Sequence, residues 1–147
     1  MAAYTVDASV FLNTFNPYEE GYEVSHLLLT SLRRGSLPII VPTLVLPEVA
    51  AAVSRGRQDA ALAREFAATL ARLPNLILIP LDRSLAEQAV EIAAEHRLRG
   101  SDAIYAAVAL RFGSLLVSLD REQIQRVEGV VPTRAPAEAL AEIQPEP

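Results

Sequence analysis

The chain has 147 residues, of which 51% are hydrophobic, so its length and composition are those of a single globular domain with a substantial core. It has no cysteine, and all 13 of its basic residues are arginine. These features exclude disulfides, a cysteine zinc site, a thiolate nucleophile and any chemistry that requires lysine, such as a Schiff base or a P-loop. The net charge of −5 argues against nucleic-acid binding by the surface as a whole.

The N-terminal segment has neither the length nor the charge pattern of a targeting or membrane-spanning sequence. No apolar run approaches the roughly 20 residues that cross a bilayer, and Asp7 interrupts the first one. No basic region precedes that run, as it would in a signal peptide. We therefore expect a cytoplasmic protein with no membrane association.

Short apolar segments alternate with helical patterns along the chain. Their length and flanking turn residues predict strands at residues 4–6, 38–41, 76–79 and 115–119, with a short fifth strand in "GVVP". Apolar periodicity and cap residues predict helices at residues 18–34, 43–54, 60–73, 84–98 and 101–112. This alternation predicts an α/β fold with a central, mainly parallel sheet whose strands are buried on both faces.

The last segment, "RAPAEALAEIQPEP", differs in composition from the rest of the chain. It is acidic and bounded by proline, and we predict either a short helix or a mobile tail. We therefore divide the sequence into a domain at residues 1–133 and a C-terminal tail at residues 134–147.

Four carboxylates fall where α/β domains bind ligands. Asp7 follows the first predicted strand, Asp120 follows the fourth, and Glu48 and Asp102 lie in the first turns of two helices. Parallel strands end at the same edge of a sheet, so Asp7 and Asp120 share that edge if their strands are neighbours. Taken singly, each aspartate also has an ordinary explanation, as a turn residue or as a favourable charge at a helix N-terminus.

Taken together, the acids indicate a cation site. Four converging carboxylates repel one another unless cations neutralise them. With no cysteine and only two histidines in the chain, the ligand set is all oxygen, which favours Mg²⁺ or Mn²⁺. An ion held in this way activates water and stabilises an in-line attack on phosphorus, which requires no lysine.

In these four segments the sequence resembles the PIN-domain ribonucleases, in particular the VapC-type toxins of prokaryotic toxin–antitoxin pairs. The matching motifs are "VDASV", "LVLPEVAAAVSR", "GSDAIYAAVA" and "LLVSLD". Each motif is short, but their order and spacing agree over residues 3–131.

The resemblance implies a PIN-like nuclease domain over residues 1–133, with a three-layer α/β/α fold and a sheet of four to five strands. It also implies a type II toxin: an endoribonuclease that depends on Mg²⁺ or Mn²⁺ and cleaves phosphodiester bonds of single-stranded RNA. A small antitoxin that blocks the acidic pocket and a homodimer are further implications.

Site residues follow from the same resemblance by position. The implied metal-binding and catalytic acids are Asp7, Glu48, Asp102 and Asp120. Ser9 and Ser118 match serine or threonine positions beside the acids, although threonine is the commoner residue at the position of Ser118. The segment after Asp120, "REQIQRV", lacks the aromatic residue that the family often has there.

Three arginines close to the acids in the sequence are candidates for binding RNA phosphates. Arg97 and Arg99 precede Asp102, and Arg121 follows Asp120. Arginine suits this role because its guanidinium group makes bidentate contacts with phosphate.

Two other functions are compatible with acids at strand ends. Aspartate-based phosphotransfer, as in receiver domains and haloacid-dehalogenase-type phosphatases, normally needs a lysine that this chain lacks, and "VDAS" lacks the second aspartate of the phosphatase motif. A catalytically silent α/β module that binds a metal ion or the arginine of a partner is the other alternative.

Overall fold

A five-stranded parallel sheet organises the protein in the computed structural model, which describes residues 2–143. Its strands are Tyr4–Val6 (β1), Ile39–Pro42 (β2), Leu76–Ile79 (β3), Leu115–Val117 (β4) and Thr133–Arg134 (β5). Their order in the sheet is β3-β2-β1-β4-β5, and every pair of neighbours is parallel. The first and fourth strands are therefore neighbours at the centre of the sheet, with Val6 paired to Val117.

The predicted α/β fold with a parallel sheet is confirmed, and the four main strands lie within two residues of their predicted bounds. The fifth strand was misplaced. The segment "GVVP" forms the turn that leads into β5, and its Pro132 carbonyl accepts a hydrogen bond from the Leu116 amide at 3.0 Å. Proline has no amide hydrogen to continue the ladder, so the strand proper begins at Thr133.

Eight helices occur within residues 2–143. They are Ala8–Asn13 (α1), Tyr22–Arg34 (α2), Val45–Arg57 (α3), Ala60–Ala71 (α4), Arg83–His96 (α5), Gly100–Phe112 (α6), Arg121–Val127 (α7) and Pro136–Ile143 (α8). The five predicted helices correspond to α2–α6. Helix α2 begins four residues later than predicted, after Gly21, whose φ of 85° is a left-handed conformation that favours glycine.

The core lies on both faces of the sheet. Val6, Val41 and Val117 in the central strands are fully buried, as expected for a sheet covered on both sides. Helix α6 packs across β1, β2 and β4, and it is buried from Tyr105 to Ala109. Because α6 crosses the central strands, its first turn lies beside their carboxyl ends.

The C-terminal segment contributes to this core as far as the structure describes it. Arg134 belongs to β5, and α8 packs against α2 with Ala139 fully buried. Of the two predicted alternatives, residues 136–143 form the short helix, whereas residues 144–147 lie outside the described residues. The division between domain and tail at residue 133 stays a prediction. No helix within residues 2–143 is long and apolar enough to cross a membrane.

Candidate active site

Two of the predicted acids follow neighbouring strands, and each caps the helix that comes next. Asp7 follows β1 directly and caps α1, where its Oδ1 accepts a hydrogen bond from the Ser9 amide at 3.0 Å. Asp120 lies three residues beyond β4 and caps α7, accepting from the Glu122 amide at 3.0 Å. The Asp7 amide in turn donates to the Val117 carbonyl at 3.1 Å, which ties the end of β1 to the end of β4.

The other two acids reach the same place from helices. Glu48 lies in the first turn of α3, and Asp102 lies in the first turn of α6. All four acids line one cavity of about 210 Å³, together with Ser9, Tyr105 and several other residues. The structure thus brings together the four carboxylates singled out in the sequence.

Asp7 is the most enclosed of these acids, with only 6% of its surface exposed. Burial raises the pKa of its carboxyl from 3.8 to about 6, and the nearby negative charge of Asp102 adds to this effect. The nearby hydroxyls of Ser118 and Ser9 act in the opposite direction and lower the pKa. The site therefore holds a carboxylate that gains stability from a nearby cation.

Glu48 is positioned by a tyrosine that the sequence analysis did not single out. The Tyr105 hydroxyl donates to Glu48 Oε1 at 2.7 Å. Burial raises the pKa of Glu48, and the Tyr105 hydrogen bond lowers it. Burial and the adjacent carboxylate also raise the pKa of Tyr105, which keeps its hydroxyl protonated as a donor. Tyr105 lies three residues after Asp102 on α6, and residues with this spacing share a helix face. The spacing was therefore a signal that Tyr105 contacts the acidic site.

Arg99 joins the remaining two acids. Its Nε donates to Asp102 Oδ2 at 3.0 Å, and its Nη2 donates to Asp120 Oδ2 at 3.1 Å. The side chain is 73% exposed, so the guanidinium group bridges the two carboxylates from the rim of the cavity. Its hydrogen bond to Asp102 and the charges of both acids raise the pKa of Arg99.

The two predicted serines lie beside the acids. The Ser9 hydroxyl donates to Asp7 and accepts from the Leu119 amide at 3.2 Å. The buried Ser118 hydroxyl accepts from the Asp120 amide and donates to Gln123 Oε1, both at 3.0 Å. Each serine therefore fixes the backbone or side chain of one of the acids.

Of the three predicted arginines, Arg99 is the one that lines the acidic cavity. Arg97 is exposed at the end of α5, where its carbonyl accepts a hydrogen bond from Arg126 at 3.1 Å. Arg121 is exposed at the first position of α7. Neither Arg97 nor Arg121 is among the residues that line the cavity.

The donor set fits a hard divalent cation. Four carboxylates around one small cavity supply only oxygen ligands, which suit Mg²⁺ or Mn²⁺. In the conformation seen here, however, no three acidic or histidine side chains within residues 2–143 form a cluster ready to hold an ion. Asp102 and Asp120 instead bond to Arg99, and Glu48 bonds to Tyr105. Binding of an ion by Asp102 and Asp120 would thus require these two carboxylates to turn away from Arg99.

These features define a class of protein, namely parallel α/β domains with acids at the carboxyl ends of the central strands. The family model described as PIN domain matches residues 4–130, and the chain therefore belongs to the PIN domain family. A search of curated proteins found no match.

Solved structures share the fold. The structure of PAE2754 from Pyrobaculum aerophilum has a TM-score of 0.71 and 22% identity, covering 97% of this chain and 96% of that one. VapC20 of Mycobacterium tuberculosis is described as a sarcin-ricin loop cleaving toxin. Its structure has a TM-score of 0.73 and 20% identity, covering 90% of this chain and 99% of that one. The structure of VapBC2 from Rickettsia felis, bound to a DNA fragment from its promoter, has a TM-score of 0.70 and 15% identity. The match covers 90% of this chain and 98% of that one.

Proposed function

We propose that the protein is a metal-dependent endoribonuclease that cleaves single-stranded RNA, and that it acts as the toxin of a type II toxin–antitoxin pair. The observation that carries the proposal is the single cavity lined by Asp7, Glu48, Asp102 and Asp120. Membership of the PIN domain family supports nuclease activity. The fold shared with a toxin described as cleaving the sarcin-ricin loop supports RNA as the substrate.

The four acids would hold the cation, which we propose to be Mg²⁺ or Mn²⁺. When bound, such an ion lowers the pKa of a coordinated water and neutralises charge on the phosphate under attack. The roles of this chain's own groups follow from their surroundings. The amide and hydroxyl of Ser9 hold Asp7 in a fixed orientation, and the burial of Asp7 favours a nearby positive charge.

We assign Glu48 as the proton acceptor for the attacking water. Tyr105 uses one lone pair of its Oε1, so the other lone pair of Oε1 would be left for the cation and Oε2 would take the proton. Burial raises the pKa of Glu48, which makes its carboxylate a stronger base than an exposed glutamate. In this reaction the water oxygen bonds to phosphorus, the bond from phosphorus to the leaving ribose oxygen breaks, and that oxygen takes a proton from solvent.

The partners follow from the same proposal. We propose a small cognate antitoxin that covers the acidic cavity, a homodimeric toxin and a cytoplasmic location. The antitoxin is supported by the VapBC2 complex, whose fold this chain shares. Arg99, Arg97 and Arg121 are the proposed contacts to RNA phosphate, and Arg99 is best placed because it lies on the rim of the cavity.

The test is cleavage of single-stranded RNA by the purified protein, with Mn²⁺ or Mg²⁺ and with EDTA. Asp7→Asn removes the buried carboxylate, and Asp82→Asn is a matched control because Asp82 also caps a helix, accepting from the Leu85 amide at 2.9 Å. We expect cleavage with metal, none with EDTA or with Asp7→Asn, and full activity with Asp82→Asn. Intact RNA with wild-type protein that carries no co-purified inhibitor would contradict the proposal.

A second candidate function is a catalytically silent module that binds an arginine of a partner at the acids. The bridge from Arg99 to Asp102 and Asp120 favours it, because it demonstrates that the cavity rim accommodates a guanidinium group. In that case Mn²⁺ binding would not be accompanied by RNA cleavage, and the Asp7→Asn and Asp82→Asn variants would behave alike in the cleavage assay.

A further inference from the structure

Gln123 is a buried polar residue for which the acidic site has no role so far. It lies on α7, three residues after Asp120, and only 2% of its surface is exposed. Its side chain lines the cavity that contains the four acids.

Only one end of the Gln123 side-chain amide has a hydrogen-bond partner. Its Oε1 accepts a hydrogen bond from the Ser118 hydroxyl at 3.0 Å. Its Nε2 is buried, and in the described part of the chain no atom accepts a hydrogen bond from it. Because the single hydroxyl proton of Ser118 goes to Oε1, the end of the amide left without a partner is the donor. A buried donor without a partner destabilises a fold, and an apolar side chain at this position would avoid that cost.

The surroundings of Gln123 indicate what kind of group would accept a hydrogen bond from its Nε2. Gln123 also lines a second cavity of about 170 Å³, whose other charged residues are Arg99, Asp102, Asp120, Glu122 and Arg126. Both guanidinium groups of this cavity already have carboxylate partners, since Arg126 pairs with Glu122 and Arg99 pairs with Asp102 and Asp120. The unpaired donor on this side is therefore Gln123 Nε2, and a ligand that accepts a hydrogen bond and carries negative charge fits beside it when a cation is held at the acids.

We propose that Gln123 binds substrate: its Nε2 donates a hydrogen bond to a non-bridging oxygen of the RNA phosphate held at the four acids. The inference rests on the proposed ribonuclease function and adds a residue to that site. The cost of the unpaired donor in the free protein is recovered when the phosphate arrives. A purely structural role, in which Gln123 serves only to hold Ser118 and through it the Asp120 amide, is the competing explanation.

Gln123→Met separates the two explanations, because methionine keeps the length of the side chain and removes the amide. If the amide binds substrate, the melting temperature of the metal-free variant stays the same or rises by a few degrees, since an unpaired donor is lost. Ser118 keeps the hydrogen bond from the Asp120 amide, and its freed hydroxyl proton is available to the nearby Asp7 carboxylate. If the role is structural, the melting temperature falls.

The functional readouts are kcat/KM for a single-stranded RNA with Mn²⁺ and the Kd of the same RNA in an Asp7→Asn background. We expect Gln123→Met to lower kcat/KM about 10- to 100-fold and to weaken RNA binding severalfold. The control is Gln125→Met, which alters an exposed glutamine on the same helix and should change neither value.

Two outcomes overturn the inference. One is a Gln123→Met variant that binds and cleaves RNA within about threefold of wild type. The other is a loss of activity accompanied by a lower melting temperature. Failure of the proposed function gives a different result: wild-type protein leaves the RNA intact with metal, whereas the binding comparison in the Asp7→Asn background still tests Gln123.

Discussion

Arg99 Nη2 donates to Asp120 Oδ2 over 3.1 Å, which links the start of α6 to the loop after β4. The same guanidinium group also binds Asp102, so two of the four acids share one internal cation. A metal ion at the acids would compete with this arginine for the same carboxylate oxygens. The contact thus couples the orientation of Arg99 to the charge state of the site.

We predict that Arg99→Gln strengthens Mn²⁺ binding about three- to tenfold, because a competing cation is removed and the exposed ion pairs lost are individually weak. Isothermal titration calorimetry at low salt measures the change. Arg97→Gln is the control, since Arg97 does not line the cavity. Unchanged or weaker Mn²⁺ binding in Arg99→Gln would show that the arginine does not compete with the ion.

Removal of the Tyr105 hydroxyl should lower the fraction of Glu48 that is ionised at a given pH. In Tyr105→Phe the hydrogen bond that lowers the pKa of Glu48 is lost, so that pKa rises further. We predict that the acidic limb of the pH profile of kcat/KM moves to higher pH and that kcat falls about tenfold at neutral pH. Tyr22→Phe, which alters a tyrosine outside the cavity lining, should leave the profile in place. A profile for Tyr105→Phe that overlays the wild type would contradict the assignment of Glu48.

The stability of the metal-free protein should depend on pH through Asp7. Burial raises its folded-state pKa from 3.8 to about 6, so folding favours the protonated form. This contribution to the free energy of unfolding is fully present below about pH 4 and is lost as pH rises through about 6. We predict that Asp7→Asn, in EDTA, is as stable as wild type near pH 4.

At pH 8 the same variant should be more stable than wild type by roughly 2–3 kcal/mol, since each pKa unit corresponds to about 1.4 kcal/mol. Urea unfolding at the two pH values measures the difference, and saturating Mn²⁺ should stabilise wild type more than the variant. An equal difference between the two proteins at both pH values would rule out Asp7 as the titrating group.

Asn13 provides a stability prediction that should leave the chemistry intact. The residue is buried at the end of α1, where its Nδ2 donates to the Glu20 carbonyl at 2.9 Å and its Oδ1 accepts from Ser25 at 2.7 Å. Asn13→Ala should lower the free energy of unfolding by roughly 2–3 kcal/mol, because Ser25 loses a buried partner. Thermal or urea unfolding measures this loss. Reduced Mn²⁺ affinity at a temperature where the variant is folded would instead place Asn13 in the site.

The sequence was sufficient to predict which strands bring the acids together, because that prediction depends on local features only a few residues long. Consecutive apolar residues marked the buried strands, and an aspartate after each of two strands marked their carboxyl ends. Helices α1 and α7 were not predicted. They have six and seven residues, too few for apolar periodicity to register, and their caps, Asp7 and Asp120, were considered only as turn residues or ligands.

The directions of the side chains at the site could not be predicted from the sequence. Nothing in "RLRGSD" distinguishes the arginine that bridges two acids from the exposed one two positions earlier, because the outcome depends on where α6 begins relative to β4. Likewise, Gln123 faces the acids and Gln125 faces solvent only because α7 starts at Arg121. Contacts of this kind follow from the packing of whole elements.

The central claim is that Asp7, Glu48, Asp102 and Asp120 hold one divalent ion or a pair of them. Anomalous diffraction from a crystal soaked in Mn²⁺ tests it most directly. We predict a manganese peak in the cavity, about 2.1–2.2 Å from an oxygen of Asp7 and from at least one of the other three acids, with Arg99 turned away from Asp102. The absence of a peak there, or peaks only at surface acids such as Glu19 and Glu20, would contradict the claim.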